Sequence, residues 1–171
     1  GPGLLARLRR LFTRAPVETT EERAVARVRA WFDRNPGARG RLYRTRSGLR
    51  LLLLDRLLDP AGAEAQALLR ELGADPLYRR LCRIQGSFRA RLTPKRHRVG
   101  MGPIPGEWPA GDPAMAAARE RWIEEYRARC RGHATCRVVA DLGSGPVHPE
   151  AARVRELHDR ATLAFGDVPL A

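Results

Sequence analysis

Three Asp-Pro dipeptides constrain this 171-residue chain more than any other feature: Asp59-Pro60, Asp75-Pro76 and Asp112-Pro113. An Asp side chain caps a helix by accepting from its free N-terminal N–H groups, and Pro suits the first helical position, where its missing N–H costs nothing. Each dipeptide therefore predicts a helix start, and Gly73, Gly86 and Gly132 supply ends. A capping box, Thr19-x-x-Glu22, opens an earlier helix reaching about Arg34, with Val25, Val28, Trp31 and Phe32 on one side. Pro149 opens the last, which carries Val154, Leu157, His158, Ala161 and Phe165 on one side.

Between these starts, strand patterns fit four short stretches. Residues 41–46 and 49–55, joined at Ser47-Gly48, read as a hairpin. Residues 134–140 read as another strand. Residues 88–92, FRARL, alternate Phe88, Ala90 and Leu92 against Arg89 and Arg91, and Pro94 ends the run. The order predicts an α+β fold: an about four-stranded, mainly antiparallel sheet with helices packed on one face. Residues 1–16 separate as a basic amphipathic N-terminal segment, in which Leu4, Leu5, Leu8, Leu11 and Phe12 oppose Arg7, Arg9, Arg10 and Arg14. Residues 17–171 are expected to form a single α+β domain. Gly1-Pro2-Gly3 reads as a tag-cleavage scar.

The net charge is +13, and its placement is uneven. Residues 1–106 hold 23 of the 32 basic residues and only 9 of the 19 acidic ones. No acid occurs between Asp75 and Glu107, a span that contains Arg89, Arg91, Lys95, Arg96 and Arg98. Such a field implies an anionic partner. Nucleic acid backbone comes first, an anionic membrane surface reached through residues 4–14 second, and an acidic protein third. Arg offers a planar fork that matches phosphate, so the expected phosphate contacts are Arg44, Arg46, Arg50, Arg89, Arg91, Lys95, Arg96 and Arg98. These would converge only if the hairpin and the FRARL stretch are adjacent.

Catalytic and metal patterns are sparse. Cys130-x-x-His133-x-x-Cys136, with His148 or His158 as a fourth, has zinc-ligand residue types but lacks a CxxC knuckle. Cys130 continues a helix's apolar side and Cys136 a strand's, so both read as buried thiols and no metal is expected. His158, next to Asp159, reads as a hydrogen-bonded histidine at the core edge rather than as part of a metal phosphohydrolase site, which would need further His and Asp groups from other helices. Ser144 in Gly143-Ser144-Gly145 reads as a plain loop. No P-loop, nucleophile elbow, GxGxxG or HExxH occurs, and no cofactor is implied. Three cysteines without a CxxC pair, and no secretory signal or apolar run of about 18 residues, point to a cytoplasmic protein, free or at the inner membrane face.

Arg44-Thr45-Arg46-Ser47-Gly48 resembles the Arg-Thr-x-Ser-Gly run of archaeo-eukaryotic primase-polymerases. That resemblance implies a following strand histidine and an earlier Asp-x-Asp or Asp-x-Glu metal pair, and this chain has neither. More widely, residues 73–78 (GADPLY), 87–95 (SFRARLTPK) and His158-Asp159 resemble an uncharacterised bacterial protein family, a likeness that implies no activity. The expected function is a non-enzymatic polyanion-binding module. The alternatives are a membrane-proximal adaptor for a protein partner, and an enzyme acting on a phosphorylated small molecule with residues 99–113 as a lid.

Overall fold

The computed structural model describes residues 19–109 and 111–171, so the amphipathic segment expected at residues 4–14 lies outside them. Helix α1 (Thr20–Arg34) leads into strands β1 (Gly40–Thr45) and β2 (Gly48–Leu53). Helices α2 (Ala63–Glu71) and α3 (Pro76–Gln85) follow, then a 3₁₀ turn (Arg96–Val99), helix α4 (Pro113–Cys130), strand β3 (Cys136–Leu142) and helix α5 (Pro149–Thr162). The fold is α+β. No helix among the described residues is long and apolar enough to cross a membrane.

Most helix starts follow the local chemistry. Thr19 and Glu22 form the reciprocal capping box. Asp75 accepts from Leu77 N–H, and Asp112 from Met115 N–H. Asp59 behaves differently. Its carboxylate turns onto Ala61 N–H two residues on, and α2 starts later, at Ala63. The same i, i+2 bond accompanies a helix at Asp75, but here it closes a separate turn and Gly62 becomes the N-cap.

The sheet is antiparallel with order β2-β1-β3, three strands among the described residues rather than about four. The missing one is FRARL, which runs outside any ladder. Its last two carbonyls are taken by side chains: Thr135 Oγ1 donates to Leu92 O at 3.0 Å, and Arg50 Nη2 to Arg91 O at 3.1 Å. With these acceptors engaged and Pro94 following, no ladder forms.

Helices also cover both faces of the sheet, not one. Val28, Trp31 and Phe32 of α1 pack on Leu42, Leu51, Ala140 and Leu142, joined by Leu68 and Leu72. On the opposite face Tyr43, Leu52, Cys136 and Val138 meet Ala164, which follows α5, and the Tyr43 and His158 rings lie 4.5 Å apart.

After β3 the chain crosses the turn between α1 and β1 at close quarters. Gly145 N–H donates to Ala38 O at 3.2 Å. A Cβ on Gly145 would lie 2.0 Å from Gly37 O, whereas one on Gly37 would meet nothing within 4 Å. That close approach explains the Gly-Ser-Gly run without invoking a phosphate loop. Gly145→Ala is expected to lower the urea-unfolding free energy by about 1–3 kcal/mol, the usual cost of overpacking. Gly37→Ala should stay within about 1 kcal/mol of the parent.

Candidate nucleic-acid interface

The centre of the second sheet face is ionic. Arg41 and Tyr43 project from β1 toward α5. Arg41 makes a two-pronged pair with Asp141, Nε–Oδ1 at 2.7 Å and Nη2–Oδ2 at 2.8 Å. Its third nitrogen, Nη1, reaches Asp159 Oδ2 at 2.6 Å, and the Tyr43 hydroxyl donates to Asp159 Oδ1 at 2.6 Å. The Arg41 and Asp159 side chains are only 13% and 12% exposed. Asp141 hydrogen bonding, followed by that of Asp159, holds the Arg41 guanidinium charged. The same contact with Arg41 holds the Asp141 carboxyl below its usual range. Burial, then the bond to Asp159, pushes the Tyr43 phenol far above its ordinary value.

His158 extends this network toward the basic segment. Arg50 Nη1 lies 2.7 Å from His158 Nε2. A guanidinium only donates, so Nε2 accepts, the ring is neutral, and its proton sits on Nδ1, facing Asp159 Oδ1 at 3.3 Å. Burial, then Arg50, lowers the His158 pKa, against the pull of Asp159. Arg50 Nη2 then holds the Arg91 carbonyl. An unbroken path runs from Asp141 through Arg41, Asp159, His158 and Arg50 to the backbone of FRARL. Cys136 is fully buried, 3.9 Å from His158 Nε2, and burial raises its pKa. It is a packed thiol rather than a nucleophile.

The expected phosphate contacts do not form one set. Arg44 points to the α1 face, where Nε reaches Glu21 Oε1 at 2.6 Å. Arg46 reaches Leu170 O at 3.3 Å from the hairpin turn. Arg50 is engaged as above and positions Arg91. Arg89 reaches back to Gln85 at 3.0 Å, and Arg98 donates to Ser47 Oγ at 2.9 Å, pinning the basic segment to the hairpin. Arg91, Lys95 and Arg96 do converge. With His97, Trp122 and Tyr126 they line an open cleft of about 340 Å³. Arg91, Lys95 and Arg96 form no ion pair among the described residues.

Trp122 and Tyr126, both from α4, are aromatics outside the expected contact set. Their rings stack 5.2 Å apart at 17°. Behind them lie Val99, Met101 and Ala171. Trp122 Nε1 donates to Gly102 O at 3.3 Å, and the Tyr126 hydroxyl to Thr93 Oγ1 at 2.9 Å. The i, i+4 spacing was visible in the sequence, but the cleft in front of it depends on where residues 91–97 cross.

The four low-priority metal candidates stay apart. Cys130 is half-buried rather than buried, His133 Nδ1 lies 3.1 Å from Arg129 O, and His148 Nδ1 caps α5 through Glu150 N–H at 3.2 Å. No group of three or more His, Cys, Asp or Glu among the described residues is placed to hold a metal ion.

Removing Asp159 leaves Arg41 Nη1 and the Tyr43 hydroxyl without partners in a site nearly closed to water, with only Asp141 still paired to Arg41. Asp159→Ala is therefore expected to cost about 3 kcal/mol in urea unfolding. His158 gives a separate pH signature. Its folded value lies below the ordinary 6.5, so the unfolded chain binds the proton first. Its stabilisation is fully present above about pH 6.5 and is lost as pH falls from there through the folded value. Unfolding free energies at pH 7.5 and 5 should differ in the parent, and His158→Gln should remove part of that difference. No protein-family model, curated protein or solved structure matches this chain.

Proposed function

We propose that the protein is a non-enzymatic, cytoplasmic binding module for single-stranded nucleic acid. Arg91, Lys95, Arg96 and His97 meet the phosphates, and the Trp122–Tyr126 pair offers a surface on which a base stacks. The observation that carries this reading is the composition of the cleft, three basic side chains and a histidine beside two stacked aromatics with no acid in the lining. Single-strand binders combine a positive groove with aromatic platforms, and every base has a π-face to stack. The acid-free span between Asp75 and Glu107 adds long-range attraction.

A second reading, an anionic membrane surface, draws on α3. Leu77 and Ile84 are 62% and 63% exposed, Phe88 follows at 44%, and Arg80 and Arg83 flank them. A helix of this kind suits the headgroup boundary. Flotation with vesicles containing phosphatidylserine, comparing the parent with Leu77→Ser/Ile84→Ser, tests it.

For the leading reading, fluorescence anisotropy with a labelled oligo-dT across a salt series is the measurement. Each phosphate contact on a single strand contributes about 0.7 to the slope of log affinity against log salt. Lys95→Ala/Arg96→Ala should weaken binding about tenfold or more and flatten the slope by about 1.4. Equal affinity and slope in parent and variant would overturn the assignment.

A further inference from the structure

A second open cleft, of about 330 Å³, lies on the other side of Tyr126. Its lining combines the apolar Leu92, Pro94, Cys130 and Leu163 with Arg127, Arg131 and His133. Tyr126 lines both clefts. Its hydroxyl is fixed to Thr93 Oγ1 and Pro94 O, so the ring and the Thr93-Pro94 backbone together form the ridge between them.

Helix α4 supplies one side of both. Trp122, Tyr126 and Cys130 recur at four-residue spacing on one face, with Arg127 and Arg131 each one residue beyond. A face like this normally faces a core. Here none of the 18 residues of α4 is fully buried. The stripe is instead half-buried: Trp122 and Tyr126 pack on Val99, Met101 and Ala171, and the stripe also borders the two clefts. Trp122 and Cys130 are separated by about 12 Å along the helix axis, at about 1.5 Å per residue. One base does not fill both clefts. Arg127 and Arg131 form no ion pair among the described residues.

We infer that the two clefts are consecutive subsites of one path for a single strand. The first takes a nucleotide by its phosphate and a stacked base. The strand then passes over the Tyr126 ridge. The second receives a following base on its apolar residues, with its phosphate held by Arg127 and Arg131. This rests on the reading of the first cleft as a nucleic-acid interface, and adds to it a minimum ligand length and a direction of travel along α4.

Two measurements on the full chain test it. The first is competition by unlabelled dT oligomers of one, two, four and eight nucleotides, for the parent, Arg127→Ala/Arg131→Ala and Lys95→Ala/Arg96→Ala. The parent should gain at least tenfold in affinity from one nucleotide to four. Arg127→Ala/Arg131→Ala should keep the mononucleotide affinity and lose most of that gain. Retention of the full gain would overturn the second subsite while leaving the first intact. If Lys95→Ala/Arg96→Ala binds every length like the parent, the first-cleft reading fails, and this inference falls with it. The second measurement needs no variant. Cys82 and Cys136 are 1% and 0% exposed, whereas Cys130 is half-buried in the second cleft. Saturating tetranucleotide should slow iodoacetamide alkylation of Cys130, read by peptide mass spectrometry, at least tenfold, and dTMP should not. An unchanged rate with bound tetranucleotide would overturn the path. If Cys130 does not react in the free protein, the length series alone decides.

Discussion

The Arg41–Asp159 ion pair is the contact on which the second half of the fold depends. It joins the central strand to the last helix through a site that is nearly closed to water. A charge is tolerated there only when its hydrogen-bonding capacity is used. Asp159 gives one oxygen to Arg41 and the other to Tyr43, with His158 beside it, while Arg41 spends its remaining nitrogens on Asp141. The pair does more than attach α5. Through His158 and Arg50 it reaches the Arg91 carbonyl, and so it sets where the basic segment crosses the end of the hairpin.

The same network explains why the architecture was only partly legible in the sequence. Helix starts were readable because they are local. The Thr19 box and the Asp75 and Asp112 caps need nothing beyond three residues of chain. Asp59 departs, its carboxylate closing a local turn on Ala61 N–H while Gly62 takes the N-cap position of α2. The layering was not readable. Arg41, Tyr43 and Arg50 make one side of the hairpin look like a solvent face, which implies helices on the other side alone. Partners for those polar groups come from Asp141 and from His158-Asp159, about a hundred residues away in sequence, and no periodicity reports them. FRARL failed in the complementary way. Alternation shows that a segment suits a strand, but a strand also needs a free edge, and here side chains took the carbonyls first.

The candidate interface was legible in its charge and not in its shape. The missing acids between Asp75 and Glu107 mark the stretch of chain that brings Arg91, Lys95 and Arg96 to the cleft. Which arginines remain available was a question of tertiary partners. Arg44 is drawn to Glu21, and Arg50 to His158. The aromatics were hidden for a different reason. Trp122 and Tyr126 have core spacing, and spacing does not say whether the opposite wall is complete. In this chain it is not, because residues 91–97 stand off from α4 and leave the cleft between them.

The way FRARL is held has a consequence for how such a protein changes over time. A strand in a ladder carries a phase, and inserting one residue flips every side chain to the wrong face. This segment is moored at Arg91 and Leu92, through Arg50 and Thr135, and ahead of those moorings it carries no ladder phase. Residues can be gained or lost between Gly86 and Arg91 without disturbing the β2-β1-β3 register. The approach to the cleft is thus free to lengthen, shorten and change chemistry while the strand register behind it stays in place, so the fold and the wall of the cleft can vary independently.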